Sequence, residues 1–598
     1  MKKVKPKISK PKAPPKQHPS APPDLAAKLY CAGLILLLTA TIALKIFKAD
    51  YAGVTYDESM SSIYFGVEVD KALHPTTISN KVVPITNNHI LNSLFMNFAG
   101  KLFPWYEHYI RLPSLLAGIL FSCALAYIVH RVIHFRWLRL ALFALISLVP
   151  FIFDYSYMAR GYAFALTALL GQFALVLWWL KHKIHFRFWL LPALSISLLN
   201  FLAFGAMLSS LFYLIAFNLV FVLFFSWRIF AEPPLKKRIS IILILISLLL
   251  AALFITIISL LIYGEIYPAL YLFLGAFFFF QAKSIFPRPP KYKITPILLS
   301  GLSILLISSL TSFLLYRGAY EFLAGDVGFK DISGRWTGWS SFITLLYQTI
   351  INYVFVPHDL PGKIILGAVA TACLLSIGRH IFRLLKRNKK TTRRKYLQQD
   401  ETAILFFLTW LVTLALLFMY GVIFQRSIGL DRNNIFLIPL TLICLGILLD
   451  RSVIAFKKKI PRCLAGAFSA VLFLAILAHH PPSTHFITGQ SISGPLLRHL
   501  KAIDPERTWN IGFSPQTRLF PMAFLYYRHL DLGYKFTIPG ETANLNFIIR
   551  ICLLPEKRPD YYCLDYDNFK RVNCAVEITS NTFPHLPSLI ESQLVTKH

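Results

Sequence analysis

Long apolar runs separated by short basic connectors set the pattern of this chain. IILILISLLLAALFITIISLLIYG (241–264) carries no charge before Glu265, and it exceeds the roughly 20 residues that cross a bilayer. Runs of this kind predict spans at about 27–47, 113–129, 138–153, 161–180, 188–206, 208–228, 239–262, 267–286, 294–316, 363–384, 402–422, 434–450 and 463–479. That is about 13 crossings. The connectors HRVIHFRWLR, KHKIHFR, RIFAEPPLKKR, PRPPKYK, RLLKRNKKTTRRK and DRSVIAFKKKIPR are strongly basic, and those between them are longer or mixed. With the N-terminus inside, every strongly basic connector falls on the cytoplasmic face, as the positive-inside rule requires. The odd count then places the C-terminal region outside the cell membrane.

Two connectors on the outer face, 48–112 and 317–362, are long enough to expect function in them. In the first, Ile90, Leu91, Leu94, Phe95, Phe98 and Leu102 recur at helical spacing, which predicts a helix lying on the membrane surface. WTGWSSFITLLYQTIINYVF in the second is a similar segment, on the surface or partly re-entrant. From about 481 the pattern changes. TWNIGF and NLNFIIRICLL read as short buried strands and TRLFPMAFLYYRHL as an amphipathic helix. The expected architecture is therefore an all-α polytopic membrane protein with extracytoplasmic surface helices and a small C-terminal extracytoplasmic α/β domain. Its parts are a disordered basic cytoplasmic tail at 1–26, a transmembrane catalytic region at 27–480 and the α/β domain at 481–598. The tail is a Lys/Pro tract suited to anionic lipid, and the apolar run after it is long enough to span rather than to be a cleaved leader.

Composition agrees with this pattern. Of 598 residues 56% are hydrophobic and 15% charged, against about 25% charged in soluble domains. The net charge of +33 does not mark a nucleic-acid partner, because the Lys and Arg are concentrated in the inner connectors. Cys31, Cys123, Cys373, Cys444 and Cys463 lie in or beside spans and read as packing residues. Cys552, Cys563 and Cys574 fall in the outer domain, where an oxidising compartment permits one disulfide; Cys563–Cys574 is the expected pair.

Four polar clusters on the outer face exceed what interfacial anchoring explains. Asp57-Glu58 opens a helix, so the pair can serve the helix dipole. It can also supply a general base, with the second carboxylate orienting an acceptor or binding a divalent ion. Asn87, Asn88 and His89 start the surface helix; capping accounts for one Asn, while His89 either packs or hydrogen-bonds a sugar or phosphate. In DYSYMARGY (154–162), Arg160 enters a span and needs a partner, either a phosphate or Asp154. In FQRSIGLDRNNIFLIPL, Arg426 and Arg432 flank Asp431 and with Arg160 allow an anion site. Acids and arginines on one face suit transfer from a lipid phosphate. The carboxylate activates the acceptor and the arginines stabilise the leaving phosphate.

TYDES (55–59), NNHILNSLF (87–95) with RLPSLLAGIL (111–120), ARGYAFAL (159–166) and DRNNIFLIPL (431–440) follow one another on that face over about 400 residues. In this the chain resembles the GT-C class of integral-membrane glycosyltransferases, in particular relatives of protein O-mannosyltransferases and of the lipid A aminoarabinose transferase. The resemblance implies a polyprenyl-phosphate sugar donor, extracytoplasmic and usually inverting transfer, and a glycolipid, polysaccharide or protein acceptor. It implies Asp57 as base with Glu58 in support, and Asn88, His89, Arg160, Tyr162 and Arg432 as contacts to donor phosphate or sugar, with Asp154 and Arg426 as further candidates. Metal use differs among members, so a divalent ion is neither required nor excluded. Met158 stands where members often carry an acid, and Asn433 where an aromatic is usual. Two other readings remain. A transporter or lipid flippase would place ionisable residues at mid-span with symmetry between halves, whereas a lipid-linked polysaccharide polymerase or ligase would share the chemistry.

Overall fold

The structure, a computed structural model, describes residues 25–51, 53–66, 76–78, 81–83, 89–104, 106–182, 190–229, 338–346, 393–424, 434–455, 497–498, 501–502, 504–506, 508–513, 526–527, 534–537, 547–553, 563–564, 571–572 and 574–580. The helices are α1 (Leu25–Tyr51), α2 (Tyr56–Met60), α3 (Ile90–Leu102), α4 (Glu107–Val132), α5 (Arg136–Leu148), α6 (Pro150–Tyr155), α7 (Tyr162–His182), α8 (Leu190–Ala206), α9 (Leu211–Ile229), α10 (Trp339–Leu346), α11 (Arg393–Phe424) and α12 (Leu437–Ala455). The expected spans at 239–262, 267–286, 294–316, 363–384 and 463–479 lie outside the described residues, as do the tail and the boundary at 481.

By length and composition, Ala27–Asp50, Glu107–Val132, Tyr162–Lys181 and Thr402–Val422 are each able to cross a membrane. Their outward surfaces fit that solvent. Leu29, Ile35 and Leu36 of α1 are 59–70% exposed, and Leu116 and Leu120 of α4 more than half exposed, which water would penalise and lipid does not. The chain is a multi-pass membrane protein. Cys31 and Cys123 also lie on exposed surfaces rather than in packing positions, while Cys444 is buried.

The expected span at 138–153 is two helices. Pro150 lacks an amide hydrogen and crowds the residue before it out of the helical region. Val149 accordingly sits at φ −53°, ψ 118°, and Pro150 opens α6 at its first turn. α6 then delivers Asp154 and the following turn to the end of α4.

α4 and α7 form the centre. Phe121, Leu125, Leu166, Phe173, Phe217, Phe406 and Ile438 belong to one buried cluster spanning α4, α7, α9, α11 and α12. Phe173 and Phe406 stack at 4.0 Å, and the Trp410 indole donates to Thr441 Oγ1 at 2.9 Å. Polar groups inside this apolar body are paired across helices, as desolvation demands. Lys45 Nζ donates to the Gly118 carbonyl (3.0 Å) and Ser122 Oγ (2.8 Å), fastening α1 to α4. At the far end of α4, Asp450 accepts from the backbone amides of His134 and Phe135.

Two glycines let backbones meet. A side-chain carbon at Gly118 would run into the Ser156 carbonyl, and one at Gly161 into the Ala206 carbonyl and, at 2.8 Å, His89 Nδ1. Neither site has room for a Cβ, so the turn after α6 can press against α4.

α3 is a helix as expected, and its faces suit the membrane surface on which the sequence reading placed it. Asn92, Ser93 and Asn97 are buried, while Phe98 and Leu102 are about 60% exposed. Lipid makes the apolar edge the cheap one to expose, and the polar edge finds hydrogen-bond partners in the protein. In the C-terminal region, β1 (Trp509–Phe513), β2 (Phe536–Thr537), β3 (Phe547–Leu553) and β4 (Cys574–Ser580) form a mixed sheet in the order β2-β1-β3-β4, with β3 and β4 antiparallel. The cysteine side chains of the expected Cys563–Cys574 pair lie outside the description.

Candidate active site

The TYDES stretch folds as a short helix with its own lock. Thr55 is the N-cap: its hydroxyl accepts from the Glu58 amide (3.3 Å), and the Glu58 carboxylate accepts from the Thr55 amide (3.0 Å). This reciprocal capping box starts α2. Helical geometry then turns neighbouring side chains apart by about 100°. Glu58 points into the protein and is fully buried, whereas the Asp57 side chain keeps 21% of its surface exposed.

Glu58 is the keystone of the region. Arg111 Nε donates to Oε1 and Nη2 to Oε2, both at 2.7 Å. The Ala159 amide adds a bond to Oε1 at 2.8 Å. Arg111 also donates to the carbonyls of Ala49 (3.0 Å) and Gly53 (2.8 Å), and its guanidinium lies over Tyr157. One bidentate pair thus ties the end of α1, the acid helix, α4 and the turn before α7. Burial alone would raise the Glu58 carboxyl, but the charge and hydrogen bonds of Arg111 outweigh it and hold it below the usual carboxylate range.

Arg160 comes to the same place from the other loop. Its Nη1 donates to Ser61 Oγ (2.7 Å) and the Asp57 carbonyl (3.2 Å), and its Nη2 lies 3.9 Å from Asp57 Oδ2. Its own carbonyl accepts from Ser114 Oγ (2.9 Å), which also reaches Asn92 Oδ1 (2.8 Å). An acid and an arginine far apart in sequence therefore face each other at one end of the helices.

The other expected site residues divide. Asn88, Arg426 and Arg432 lie outside the described residues. His89 is buried, with Nδ1 hydrogen-bonded to the Ala206 carbonyl and its ring edge-on to Tyr162 at 4.7 Å. Tyr162 is 1% exposed and also meets Tyr155 edge-on at 4.4 Å. Both are packed inside the protein beside Gly161 and Ala206. Each Glu58 oxygen already receives two donors, and among the described residues no three His, Cys, Asp or Glu side chains gather. Glu58 therefore has no oxygen lone pair left for a divalent ion.

Asp154 does not pair with Arg160. It is buried, with Oδ1 accepting from Tyr157 (3.2 Å) and Oδ2 without a hydrogen-bond partner among the described residues. Burial pushes its carboxyl up to about 7 from 3.8, against the opposing pull of Lys48, Tyr157 and Arg111. The folded protein thus prefers the neutral acid. Stability should fall as pH rises from about 4 to about 7, because the unfolded chain loses the proton earlier. Asp154→Asn keeps the shape and removes the charge. It is expected to raise the thermal midpoint in detergent at pH 8 and leave it unchanged at pH 4. A lower midpoint at pH 8 would show that the ionised form is the one the fold needs.

Sequence reasoning missed Arg111, Ser61 and Glu107. Arg111 opens an apolar span as part of RLPSLLAGIL, and an arginine entering a span is itself the signal for a buried partner.

No protein-family model matches the chain, and no curated protein matches it in sequence. Among solved structures it is similar to the oligosaccharyltransferase AglB of Archaeoglobus fulgidus, in complex with an inhibitory peptide and a dolichol-phosphate. That match has 12% identity and a TM-score of 0.40, covering 86% of this chain and 64% of that one. The chain therefore spans less than two thirds of the archaeal enzyme. It is also similar to ArnT from Cupriavidus metallidurans in the apo state, at 12% identity and a TM-score of 0.26, covering 84% of this chain and 85% of that one.

Proposed function

We propose that this chain is a membrane glycosyltransferase. It moves a sugar from a polyprenyl-phosphate donor to the hydroxyl of a glycolipid, polysaccharide or protein on the outer face of the plasma (inner) membrane, with its N-terminus cytoplasmic and its C-terminal region outside. The observation that carries this reading is the pairing of a partly exposed Asp57 with Arg160 at 3.9 Å, both held by a buried framework that leaves the Asp57 carboxylate at the surface.

The residues divide the chemistry. Asp57 accepts the proton of the acceptor hydroxyl as that oxygen bonds to the anomeric carbon. The bond from that carbon to the donor phosphate breaks, and its electron pair stays on the phosphate oxygen. Arg160, with Arg432 and Arg426 from the later loop, offsets the charge of the leaving polyprenyl phosphate. Attack opposite the leaving group inverts the sugar. Asn88 is assigned to the sugar, with His89 and Tyr162 packed inside the protein beside Gly161. Glu58 supports Asp57 by fixing its helix rather than by touching substrate.

The charges buried near the described spans, Lys45, Glu107, Arg111 and Asp450, lie toward helix ends, which favours transfer at the membrane surface over ion-coupled transport. The test uses the protein in liposomes with a panel of labelled polyprenyl-phosphate hexoses and pentoses and membrane lipid as acceptor. At least one donor is expected to lose its sugar to the acceptor and leave polyprenyl phosphate. A donor that crosses the bilayer with its sugar attached would instead establish a flippase.

A further inference from the structure

The three residues before the acid helix are held at every step. The Gly53 carbonyl is taken by Arg111 Nη2, and the Thr55 amide by Glu58 Oε2. Both holders belong to one ion pair. The Val54 amide between them is held from the far end of the chain: it donates to the Tyr527 hydroxyl at 3.2 Å, across 473 residues. That hydroxyl in turn donates a hydrogen bond to Glu107 Oε1 at 2.9 Å, an oxygen shared with Arg498 Nη1 at 2.9 Å. Tyr526 and Tyr527 are both fully buried, and Tyr534 meets the Tyr527 ring edge-on at 5.5 Å. The phenol is thus a rigid two-way connector, not a surface contact.

Its position gives the contact a consequence. Thr55 starts the helix and Asp57 follows two residues later, so a displacement at Val54 passes through a single capped turn to the carboxylate. Glu107 lies one helical turn before Arg111 on α4, so the same phenol bears on both holders of the loop.

We propose that Tyr527 is a positioning residue for Asp57: the C-terminal segment sets the place of the base through the Tyr527 hydroxyl and the Val54 amide. The proposal rests on Asp57 being the base. A base misplaced by about 1 Å loses roughly a hundredfold in rate, and the effect falls on turnover rather than on donor affinity.

The experiment compares Tyr527→Phe and Arg498→Ala in the full chain in liposomes, with polyprenyl-phosphate mannose and polyprenyl-phosphate aminoarabinose as probe donors. Amide hydrogen exchange over residues 53–60 is read in parallel. Tyr527→Phe is expected to lower kcat by roughly ten- to a hundredfold, leave the donor KM within about twofold and speed exchange at 53–60 while α7 is unchanged. Arg498→Ala loosens the segment without touching Val54, and should keep kcat within about threefold of the parent. Unchanged kcat and exchange in Tyr527→Phe would overturn the proposal. So would an Arg498→Ala variant as impaired as Tyr527→Phe, since docking as a whole would then be the cause. If Tyr527→Phe loses its thermal transition, Tyr527→His decides: a folded protein with kcat within about tenfold of the parent and protected amides at 53–60 supports the role of the ring's polar edge, and a folded protein with faster exchange at 53–60 but unchanged kcat overturns it. If the unaltered protein turns over neither donor, the functional reading is at fault, and exchange at 53–60 still decides whether Tyr527 holds the loop.

Discussion

Asp57→Asn is expected to lower sugar transfer by roughly 10² to 10⁴-fold, the range a positioned acid or base contributes, with expression and thermal midpoint unchanged. The structure gives reasons for both halves of that result. The Asp57 side chain is partly exposed, and Arg160 donates its firm hydrogen bonds to Ser61 Oγ and the Asp57 carbonyl. Replacing the carboxylate by an amide of the same shape therefore leaves the arginine anchored and the capping box intact. What disappears is the group able to accept a proton. The measurement is single-turnover transfer of labelled sugar, with donor binding followed separately. A loss confined to turnover identifies a base. Full transfer by the variant would remove Asp57 from that role, and a loss confined to donor affinity would recast it as a binding group.

Much of this site was legible before any coordinates, and what escaped did so for physical reasons. Apolar runs longer than a bilayer announce themselves by length alone, and the Asp57-Glu58 pair stood out because acids are scarce in this chain, 28 of 598 residues. Thr55 with Glu58 three residues later is a capping signature readable from four letters. The division of labour between the two acids was not readable, because it depends on which way α2 faces its neighbours. Arg111 escaped because it lies 53 residues from Glu58, and no periodicity connects them. α3 was expected to lie on the membrane surface, and Phe98 and Leu102 are exposed accordingly; that Asn92 and Ser93 are buried beside Ile90, Leu91 and Met96 depends on the neighbouring helices, which periodicity does not reveal. The break at Val149 was present in the letters as Pro150, yet the continuous apolar run hid it. Asp154 was the intramolecular alternative to a phosphate as partner of Arg160, but the turn after α6 buries the acid beside Tyr157 and sends the arginine to Asp57.

The second large effect concerns the pair that carries no chemistry. Arg111→Met removes four hydrogen bonds to carboxylate and carbonyl oxygens and leaves Glu58 buried without its cation. Breaking a buried pair from one side costs about 3–5 kcal/mol, enough to unfold a protein of ordinary stability in detergent or leave it marginal. Glu58→Gln combined with Arg111→Met should be less destabilised than the sum of the two single variants, by about 0.5–3 kcal/mol, because the stranded charge is gone. The pH dependence separates an ion pair from mere packing. In the unaltered protein the Glu58 carboxyl lies below its unfolded value. Its contribution is therefore full above about pH 4.3 and is lost only as pH falls through the depressed folded value. Without Arg111 the sign reverses: burial dominates, the folded state favours the protonated acid, and lowering the pH from neutral should stabilise the variant. Unfolding in chaotrope at pH 7 and pH 5 measures this directly. The Glu58 contribution to the parent should be flat over that window while Arg111→Met gains stability toward acid. Parallel responses in the two proteins would mean that Glu58 and Arg111 are not coupled as the geometry places them.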